Sequence, residues 1–340
     1  MRVIIVGSGV AGASVAWHLA KAGVSVQVVD AGREGAATAA GAGIVSPWTS
    51  RRHEGYPLAE AAGAYYPELA AAVPGTSYEV VGGLVVSASP DELDEAEQRL
   101  AGRPAGAVTR LTPEQARELF PPLAPSLAAV HVSRAGRVDG RRLRSALLAA
   151  SGAELISGRV TLDGGLRVDG VAHGADAVVL AAGAWTSELV DLPVAPQRGQ
   201  ISHFSLPGTD TASWPVVLPV SSHYLLAFPG SRVVAGATRE TGSGFDHRVT
   251  AAGQAEVLSH ALAVAPGLAT ATLLETRVGF RPASPDGEPL LGQLDENLYV
   301  ATGFGPGGLT LAPYAGRLVA DLVLGRDPGF DLTPYRPDRF

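Results

Sequence analysis

The chain has 340 residues, which is enough for two domains of ordinary size, and 46% of them are hydrophobic while 17% are charged. These proportions are typical of a globular protein rather than a disordered one. The formal net charge of −7 argues against nucleic acid as a partner, and the absence of cysteine excludes disulfides, thiolate metal sites and a thioether-linked prosthetic group.

The first predicted unit is a strand, a glycine-rich turn, a helix and a second strand. An apolar run over Val3–Val6 leads into the sequence GSGVAG at residues 7–12, and the second strand ends at Asp30. The first glycine permits a tight turn, the second lets the backbone approach a pyrophosphate, and the third lets helix and strand pack closely. The helix N-terminus offers N–H groups to phosphates, and Asp30 can accept from a ribose hydroxyl. The full pattern predicts dinucleotide binding, whereas an ordinary glycine-rich turn leaves Asp30 unexplained.

The middle of the chain alternates short strands with helices. The small residues GAATAAGAGIV at 35–45 follow Asp30 closely, which indicates backbone packed on a flat ligand rather than a flexible loop. The apolar and turn patterns further on predict the following elements. Strands are expected over Tyr78–Ala88, Gly158–Leu162 and Asp176–Ala182, and helices over Ser89–Leu100 and Asp139–Ser151.

The second half predicts a sheet followed by a return to the nucleotide-binding pattern. Strands are expected over Gln197–Phe204, Val216–Pro219, Tyr224–Phe228 and Val233–Ala237, with a helix over Ala251–Val264. Their spacing is typical of an antiparallel sheet. A strand over Leu298–Ala301, a glycine loop over Gly303–Gly308 and a helix over Leu311–Leu324 then follow. The dinucleotide domain is therefore expected over residues 1–76, 133–196 and 276–340, with a sheet-rich domain inserted over 77–132 and 197–275.

The terminal helix is the nearest approach to a membrane span in this sequence. Pro313, Arg317 and Asp321 interrupt it, so it falls short of the ~18–20 uninterrupted apolar residues that a span needs. The N-terminus lacks a basic leader and a cleavage site. We therefore expect no membrane span and a cytoplasmic location. No spacing of histidine, aspartate and glutamate suggests a metal site.

Several motifs in order along the chain resemble the D-amino acid oxidase superfamily of FAD enzymes, and within it the glycine oxidase and D-amino acid dehydrogenase branch. Besides the N-terminal fingerprint, the matching segments span nearly the whole length. They are AGAGI at 40–44, AAGAW at 181–185, the QRGQ turn at 197–200, VVAGAT at 233–238, VGFRP at 278–282, PDG at 285–287 with Pro289 and Gly292, and TGFGPGGLTLAP at 302–313.

The resemblance implies an α/β fold in which a Rossmann-type FAD-binding domain is built from discontinuous segments and an antiparallel sheet roofs the flavin. It implies that Arg281 binds the substrate carboxylate and that Tyr224 assists it. It also implies non-covalent FAD, because the anchoring cysteine of sarcosine oxidase relatives is absent. The positions expected to contact FAD are Gly7, Gly9, Val10, Ala11, Gly12, Asp30, Ala31, Thr38, Ala39, Gly43, Ile44, Val160, Ala182, Gly183, Trp185, Gly279, Arg281, Gly305, Pro306, Gly307, Gly308, Leu309 and Thr310.

The chain departs from the family pattern beside the expected active site. Arg277 stands where glycine oxidases usually have an aromatic residue, and Gly303 and Gly307 replace larger polar residues. The lysine that sarcosine oxidase relatives place by the flavin has no counterpart, because the single lysine is Lys21 on the first helix. The identity of the amine therefore stays open.

The expected chemistry asks mainly for orientation of the substrate. The planar guanidinium of Arg281 suits a carboxylate because it can form two parallel hydrogen bonds, although an ion pair with Asp286 or Glu288 is the structural alternative. Tyr224 could add a third bond or be a half-buried strand tyrosine. The loop Gly305–Gly308 precedes a helix whose N-terminus can face the anionic reduced flavin.

Three other side chains have open roles. Arg198 could contact a ligand or pair with an acid. His53, in the basic cluster Arg51-Arg52-His53, could neutralise an incoming ammonium or lie in a solvated loop. His223 is left out of the site, because strand alternation would turn it away if Tyr224 faces the flavin.

The sequence thus predicts FAD-dependent oxidation of glycine, N-methylglycine or a D-amino acid, by hydride transfer that gives an imine and then an oxo acid. A 2-hydroxy acid dehydrogenase and a flavin subunit of a larger complex are the alternatives. The electron acceptor, oxygen or another, stays open, as do stereochemistry and a homo-oligomeric state.

Overall fold

The computed structural model describes residues 1–50 and 56–340, and within these ranges it contains twenty strands and eight α-helices. The strands are β1 (Arg2–Val6), β2 (Ser25–Asp30), β3 (Ile44–Val45), β4 (Glu79–Val80), β5 (Gly83–Ser87), β6 (Val108–Leu111), β7 (Ala128–Val132), β8 (Gly136–Arg137), β9 (Glu154–Ser157), β10 (Val160–Thr161), β11 (Arg167–Val168), β12 (Val171–Ala172), β13 (Ala177–Leu180), β14 (Ala195–Ser205), β15 (Val216–Pro219), β16 (Tyr224–Phe228), β17 (Arg232–Gly236), β18 (Thr272–Ala283), β19 (Leu290–Asp295) and β20 (Leu298–Thr302). The helices are α1 (Val10–Lys21), α2 (Ala37–Ala40), α3 (Tyr56–Ala72), α4 (Pro90–Ala101), α5 (Pro113–Leu119), α6 (Gly140–Ser151), α7 (Ala251–Val264) and α8 (Gly308–Val323).

A six-stranded sheet carries the N-terminal fingerprint. Its strand order is β19-β20-β13-β1-β2-β9, and every pairing is parallel except that of the edge strand β19 with β20. The central strand β1 is a continuous apolar run, and Val3, Ile4 and Ile5 are fully buried. Such a run is expected where both faces of a parallel sheet are covered. Here α1, α6 and α8 cover one face, and a small sheet of β10, β11 and β12 covers the other.

An eight-stranded sheet, in the order β18-β14-β17-β16-β15-β5-β7-β6, forms the second layer. Its pairings are antiparallel except between β15 and β5, which run parallel. The inserted sheet is therefore mixed rather than purely antiparallel, because β15 pairs with β5, a strand more than 120 residues earlier in the chain. The predicted α/β class, with a parallel sheet and a second sheet layer, is confirmed.

Most predicted elements lie within three residues of the observed ones, and side-chain caps fix the starts of several helices, α4 and α6 among them. The Ser89 hydroxyl accepts from the Glu92 N–H at 3.5 Å, and the Asp139 carboxylate accepts from the Arg141 and Arg142 N–H groups at 3.0 and 3.3 Å. These caps satisfy N–H groups that have no partner within the helix.

Two details differ from the sequence prediction. The QRGQ segment at 197–200, described both as a turn and as the start of a strand over Gln197–Phe204, is strand throughout, since it lies inside β14 and pairs with β18. The last helix begins at Gly308 rather than Leu311, because Gly308 already has helical backbone angles after a 3-10 turn over Gly305–Gly307. The boundaries placed at 196/197 and 275/276 fall inside β14 and β18, two strands that pair with each other. The division into domains stays a prediction. In the described ranges, none of the helices has the length and apolar character needed to cross a membrane.

Candidate active site

The turn after β1 brings backbone N–H groups to the edge of a large cavity. Gly7 has a φ of +105°, and a Cβ there would lie 2.3 Å from the Ala181 carbonyl oxygen, so only glycine fits. A Cβ on Gly12 would lie 1.9 Å from the Gly7 carbonyl oxygen, which explains the close packing of helix and strand. The N–H of Val10 donates to the Thr38 hydroxyl at 3.0 Å, so α2 is attached to the start of α1.

Asp30 at the end of β2 is held by this same turn. Its Oδ2 accepts from the N–H and the hydroxyl of Ser8, both at 2.6 Å, and its Oδ1 accepts from the Gly32 N–H at 2.7 Å. Burial raises the pKa of Asp30, but these hydrogen bonds outweigh it and leave the pKa below its usual value. Arg144 of α6, which the sequence reading did not single out, donates to the Ser8 carbonyl at 2.6 Å. The carboxylate is therefore ionised and fixed in place at the edge of the cavity.

One cavity of about 770 Å³ lies where the two sheets meet. It runs from the Gly7 turn and Asp30, past β3 and α2, to β16, β18 and the start of α8. Most predicted contact positions line it: Gly7, Gly9, Val10, Ala11, Asp30, Ala31, Thr38, Gly43, Ile44, Val160, Ala182, Gly183, Trp185, Gly279, Arg281, Gly305, Pro306, Gly308, Leu309 and Thr310, together with Tyr224. Three positions lie outside its lining, namely Gly12, Ala39 and Gly307. The roles of all these residues stay predictions.

The three positions outside the lining have other contacts. Gly12 is packed against the Gly7 backbone, as described above. The Ala39 carbonyl accepts from Arg141 Nε at 3.2 Å and from Arg277 Nη1 at 3.4 Å, so its oxygen is turned toward arginines rather than the cavity. A Cβ on Gly307 would contact Leu311 at 3.0 Å. Arg277 itself donates to Glu275 at 2.9 Å and lies outside the lining, so this departure from the family pattern does not reshape the cavity wall directly.

The start of α8 forms part of the cavity wall. Gly305, Pro306, Gly308, Leu309 and Thr310 all line it, and the Thr310 hydroxyl donates to the Ile44 carbonyl at 2.9 Å. The N–H groups in the first turn of a helix lack intrahelical partners and carry partial positive charge. This end of the cavity is therefore suited to the negatively charged part of a bound cofactor.

Arg281 on β18 presents a half-buried guanidinium to the cavity. Its Nη1 donates to the Thr238 carbonyl at 3.0 Å, and among the described residues no carboxylate pairs with it. The expected alternative partner Asp286 instead pairs with Arg339 at 2.8 Å. Burial lowers the pKa of Arg281 from its ordinary value, but an arginine remains protonated at neutral pH. A charged donor with only carbonyl acceptors is ready to bind an anion.

The space for this guanidinium is provided by a glycine on the neighbouring strand. Gly199 of β14 pairs with Gly279 of β18, and a Cβ on Gly199 would lie 2.5 Å from Arg281 Nη2. The side chain of Arg281 therefore lies directly over the Gly199 backbone. The sequence reading noted the QRGQ motif but not that its glycine accommodates the arginine.

Tyr224, the first residue of β16, lies beside Arg281. It pairs with Gly236 of β17, and its hydroxyl lies 2.9 Å from the position that a Cβ on Gly236 would occupy. Burial raises the pKa of Tyr224 to about 12, against the opposing charges of Arg281 and Arg239. The hydroxyl is therefore protonated at neutral pH and can donate a hydrogen bond into the cavity.

The expectation that strand alternation turns His223 away from the cavity was wrong. His223 lines the cavity next to Tyr224, because β16 begins only at Tyr224 and His223 has a φ of +60°. Strand alternation does not apply to a residue in the left-handed region outside a strand. Its ring stacks on His260 at 4.0 Å between centroids, and its Nε2 lies 3.4 Å from Glu256 Oε1. Burial, with smaller contributions from His260 and Arg239, lowers the pKa of His223 to about 4.

Of the two roles considered for Arg198, contact with a ligand or pairing with an acid, the structure shows pairing with acids. Arg198 is buried, donates to Glu240 at 3.0 Å and pairs with Asp246 at 3.0 Å, and it does not line the cavity. Glu240 also accepts from Gln200 and Thr238, so this network fixes the segment whose carbonyl holds Arg281. The predicted basic cluster Arg51-Arg52-His53 lies outside the described residues, and its role stays a prediction.

Comparison with known proteins gives matches over nearly the full length. The family described as DAO, FAD dependent oxidoreductase, matches residues 2–322. The uncharacterized oxidoreductase YurR from Bacillus subtilis (strain 168) is 44% identical over 98% of each chain, and glycine oxidase from Pseudomonas aeruginosa is 33% identical over 99% of this chain and 98% of its own. The crystal structure of iminodiacetate oxidase (IdaA) from Chelativorans sp. BNC1 is 44% identical, with a TM-score of 0.95 over 99% of each chain.

Proposed function

This chain belongs to the DAO family of FAD-dependent oxidoreductases, and we propose that it oxidises the C–N bond of glycine, an N-substituted glycine or a small D-amino acid. Glycine oxidase and iminodiacetate oxidase, two relatives of this chain, are named for compounds that share an N–CH2–carboxylate unit. That shared unit supports a small amino acid as the substrate.

The observation that carries the proposal is the position of Arg281. Its guanidinium faces the cavity, beside a protonated Tyr224, and is bonded only to backbone carbonyls among the described residues. Such a group binds a carboxylate through two parallel hydrogen bonds, and a tyrosine hydroxyl can add a third. Fixing the carboxylate orients the neighbouring carbon, and orientation is the main requirement of this chemistry.

The cavity fits FAD from end to end. The Gly7 turn and Asp30 suit the nucleotide half, and the glycine loop at the start of α8 suits the flavin half. When bound, FAD supplies the hydride acceptor, and the substrate imine is hydrolysed by water to an oxo acid and an amine.

His223 completes the substrate end of the cavity. Because its pKa is lowered to about 4, the imidazole is neutral at pH 7 and adds no positive charge beside the substrate ammonium. Its partner Glu256, on α7, also lines the cavity. A neutral imidazole does not repel the incoming substrate ammonium, so it lets the amine approach this end of the cavity.

The experiment is product identification with FAD-loaded protein. Glycine, N-methylglycine, iminodiacetate, D- and L-alanine and glycolate would be incubated separately, in air and with an artificial electron-accepting dye, and the oxo acids measured. We expect glyoxylate from at least one glycine derivative or pyruvate from D-alanine. Oxidation of glycolate alone would replace the proposal by a 2-hydroxy acid dehydrogenase. No product with any compound would contradict the proposal and favour a flavin subunit that needs a partner.

A further inference from the structure

Arg144 of α6 lies outside the cavity but is bonded to the turn that holds Asp30. Its Nε donates to the Ser8 carbonyl at 2.6 Å, and its Nη2 donates to the Ser8 hydroxyl at 2.5 Å. Ser8 follows Gly7 in the glycine-rich turn, is only 3% exposed and does not line the cavity. One planar guanidinium therefore holds two polar atoms of a buried residue at once.

The Ser8 hydroxyl connects Arg144 to Asp30. A hydroxyl has one proton to donate, and a guanidinium cannot accept it. The Ser8 oxygen accepts from Arg144, so its proton is directed to Asp30 Oδ2, which lies at 2.6 Å. Hydrogen bonds linked in this way strengthen one another. Arg144 also acts on the charge of Asp30 electrostatically. The arginine therefore fixes the carboxylate without lining the cavity itself.

The bonds to Asp30 leave it one place for a ligand. Its Oδ2 accepts from the N–H and the hydroxyl of Ser8, and its Oδ1 accepts from the Gly32 N–H at 2.7 Å. Each carboxylate oxygen has two lone pairs, so Oδ2 is fully used and Oδ1 keeps one. Asp30 lines the nucleotide end of the cavity, where a ribose hydroxyl of FAD is expected. The direction of that last acceptor depends on the bonds that hold the rest of the carboxylate.

We propose that Arg144 is a positioning residue for FAD, which holds Asp30 through the Ser8 hydroxyl in the orientation that accepts from the adenosine ribose. Without Arg144, the buried carbonyl and hydroxyl of Ser8 each lose a charged donor, so the turn and the carboxylate on it are held less firmly. The inference concerns the cofactor, so it stands or falls apart from the amino acid that the protein oxidises.

ADP and 2′,3′-dideoxy-ADP test this inference, because they share base and phosphates and differ only in the ribose hydroxyls. Their dissociation constants would be measured by calorimetry with the full-length chain after removal of FAD, for the wild type, Arg144→Met, Arg144→Lys, Ser8→Ala and the control Arg142→Met. Methionine keeps an unbranched apolar stem but has no donor. Arg142 lies on the same helix, is exposed and does not line the cavity.

We expect the wild type to bind ADP at least ~10-fold more tightly than dideoxy-ADP, since a hydrogen bond to an ionised carboxylate belongs to the stronger class. Arg144→Met and Ser8→Ala should each reduce that preference to less than ~3-fold, and Arg142→Met should keep it. Arg144→Lys should be intermediate, because an ammonium lacks the planar fork that serves both Ser8 oxygens.

Release of FAD from the loaded protein gives a second readout. FAD should leave Arg144→Met at least ~5-fold faster than it leaves the wild type or Arg142→Met, as followed by the fluorescence of the released flavin. Release at the wild-type rate from Arg144→Met would contradict the inference.

Three binding results would also overturn it. They are equal binding of ADP and dideoxy-ADP by the wild type, an ADP preference that survives in Arg144→Met, and an equal loss of affinity for both nucleotides in that variant. The last result would assign Arg144 to the general stability of the turn rather than to the ribose contact. If Arg144→Met does not fold, Ser8→Ala decides by the same criteria.

Discussion

At the scale of single residues, Tyr224 is expected to act as a hydrogen-bond donor throughout the useful pH range. Tyr224→Phe removes one donor beside Arg281, so kcat/KM for the preferred amino acid should fall about 10-fold. Because burial raises the pKa of Tyr224 to about 12, the decrease should be the same at pH 7 and pH 10. Steady-state kinetics at both pH values would measure it.

Tyr314→Phe is the matched control for this change. Tyr314 is buried among the helices against Tyr65 and Phe330, and it does not line the cavity. Its loss of a hydroxyl should leave kcat/KM within about twofold of the wild type. An unaltered kcat/KM in Tyr224→Phe would remove this tyrosine from substrate binding.

The same scale shows what the sequence could and could not predict. The motif around Arg281 predicts that this arginine belongs to the site. It does not predict that the arginine lacks a carboxylate partner, because Asp286 pairs with Arg339, more than fifty positions away. His223 was missed since a positive φ in a residue other than glycine has no sequence signature. Arg198 likewise has no sequence signature for its structural role, because its partners Glu240 and Asp246 are more than forty positions away.

At the scale of elements, the pairing of β14 with β18 sets the position of the substrate-binding arginine. Gly199→Ala would place a methyl group 2.5 Å from Arg281 Nη2, so the guanidinium would have to move. We expect FAD to stay bound while kcat/KM falls at least about 10-fold, because a shift of the anchor spoils the orientation of the substrate. Flavin absorbance and steady-state kinetics would measure the two effects.

Gly102→Ala is the control for Gly199→Ala, because it makes the same glycine-to-alanine change away from Arg281. Gly102 ends α4, and a Cβ there meets nothing within 4 Å. It should keep both FAD and kcat/KM. Full activity in Gly199→Ala would show that Arg281 does not depend on the packing seen over Gly199.

Strands and helices could be predicted here because their apolar patterns are continuous and clearly bounded. The pairing of strands within the sheets could not be predicted. Strands such as β15 and β16 match their predicted bounds without adjustment. The parallel contact between β15 and β5 joins segments more than 120 residues apart, and no local pattern encodes it. The early start of α8 likewise depends on the turn that precedes it, which glycine composition alone does not specify.

At the scale of the whole molecule, buried histidines predict a loss of stability in mild acid. Burial lowers the pKa of His203, which is 3% exposed, to about 4, and that of His18 to about 3. The unfolded chain, with histidine pKa values near ~6.5, therefore binds more protons than the folded one between pH 6.5 and these lowered values. The free energy of unfolding should fall as pH decreases through that window, by up to ~1.4 kcal/mol per pH unit for each such histidine.

Urea unfolding at pH 6.5, 5.75 and 5 with excess FAD would measure this slope. His203→Gln should make this slope shallower by up to ~1.4 kcal/mol per pH unit. An identical slope in the wild type and His203→Gln would contradict the neutral, buried state of His203.

The central claim is that Arg281 anchors the carboxylate of an amino acid for oxidation, and anaerobic reduction of the bound flavin tests it most directly. The wild type, Arg281→Ala and the control Arg326→Ala would each be loaded with FAD and mixed without oxygen with the most active amino acid of the panel, and the loss of flavin absorbance followed. Arg326 is an exposed arginine after the end of α8 and does not line the cavity. We expect rapid bleaching in the wild type and in Arg326→Ala. In Arg281→Ala the flavin should remain bound, with a second-order rate of bleaching at least ~100-fold lower. Bleaching of Arg281→Ala at the wild-type rate, or no bleaching of the wild type by any amino acid, would contradict the account.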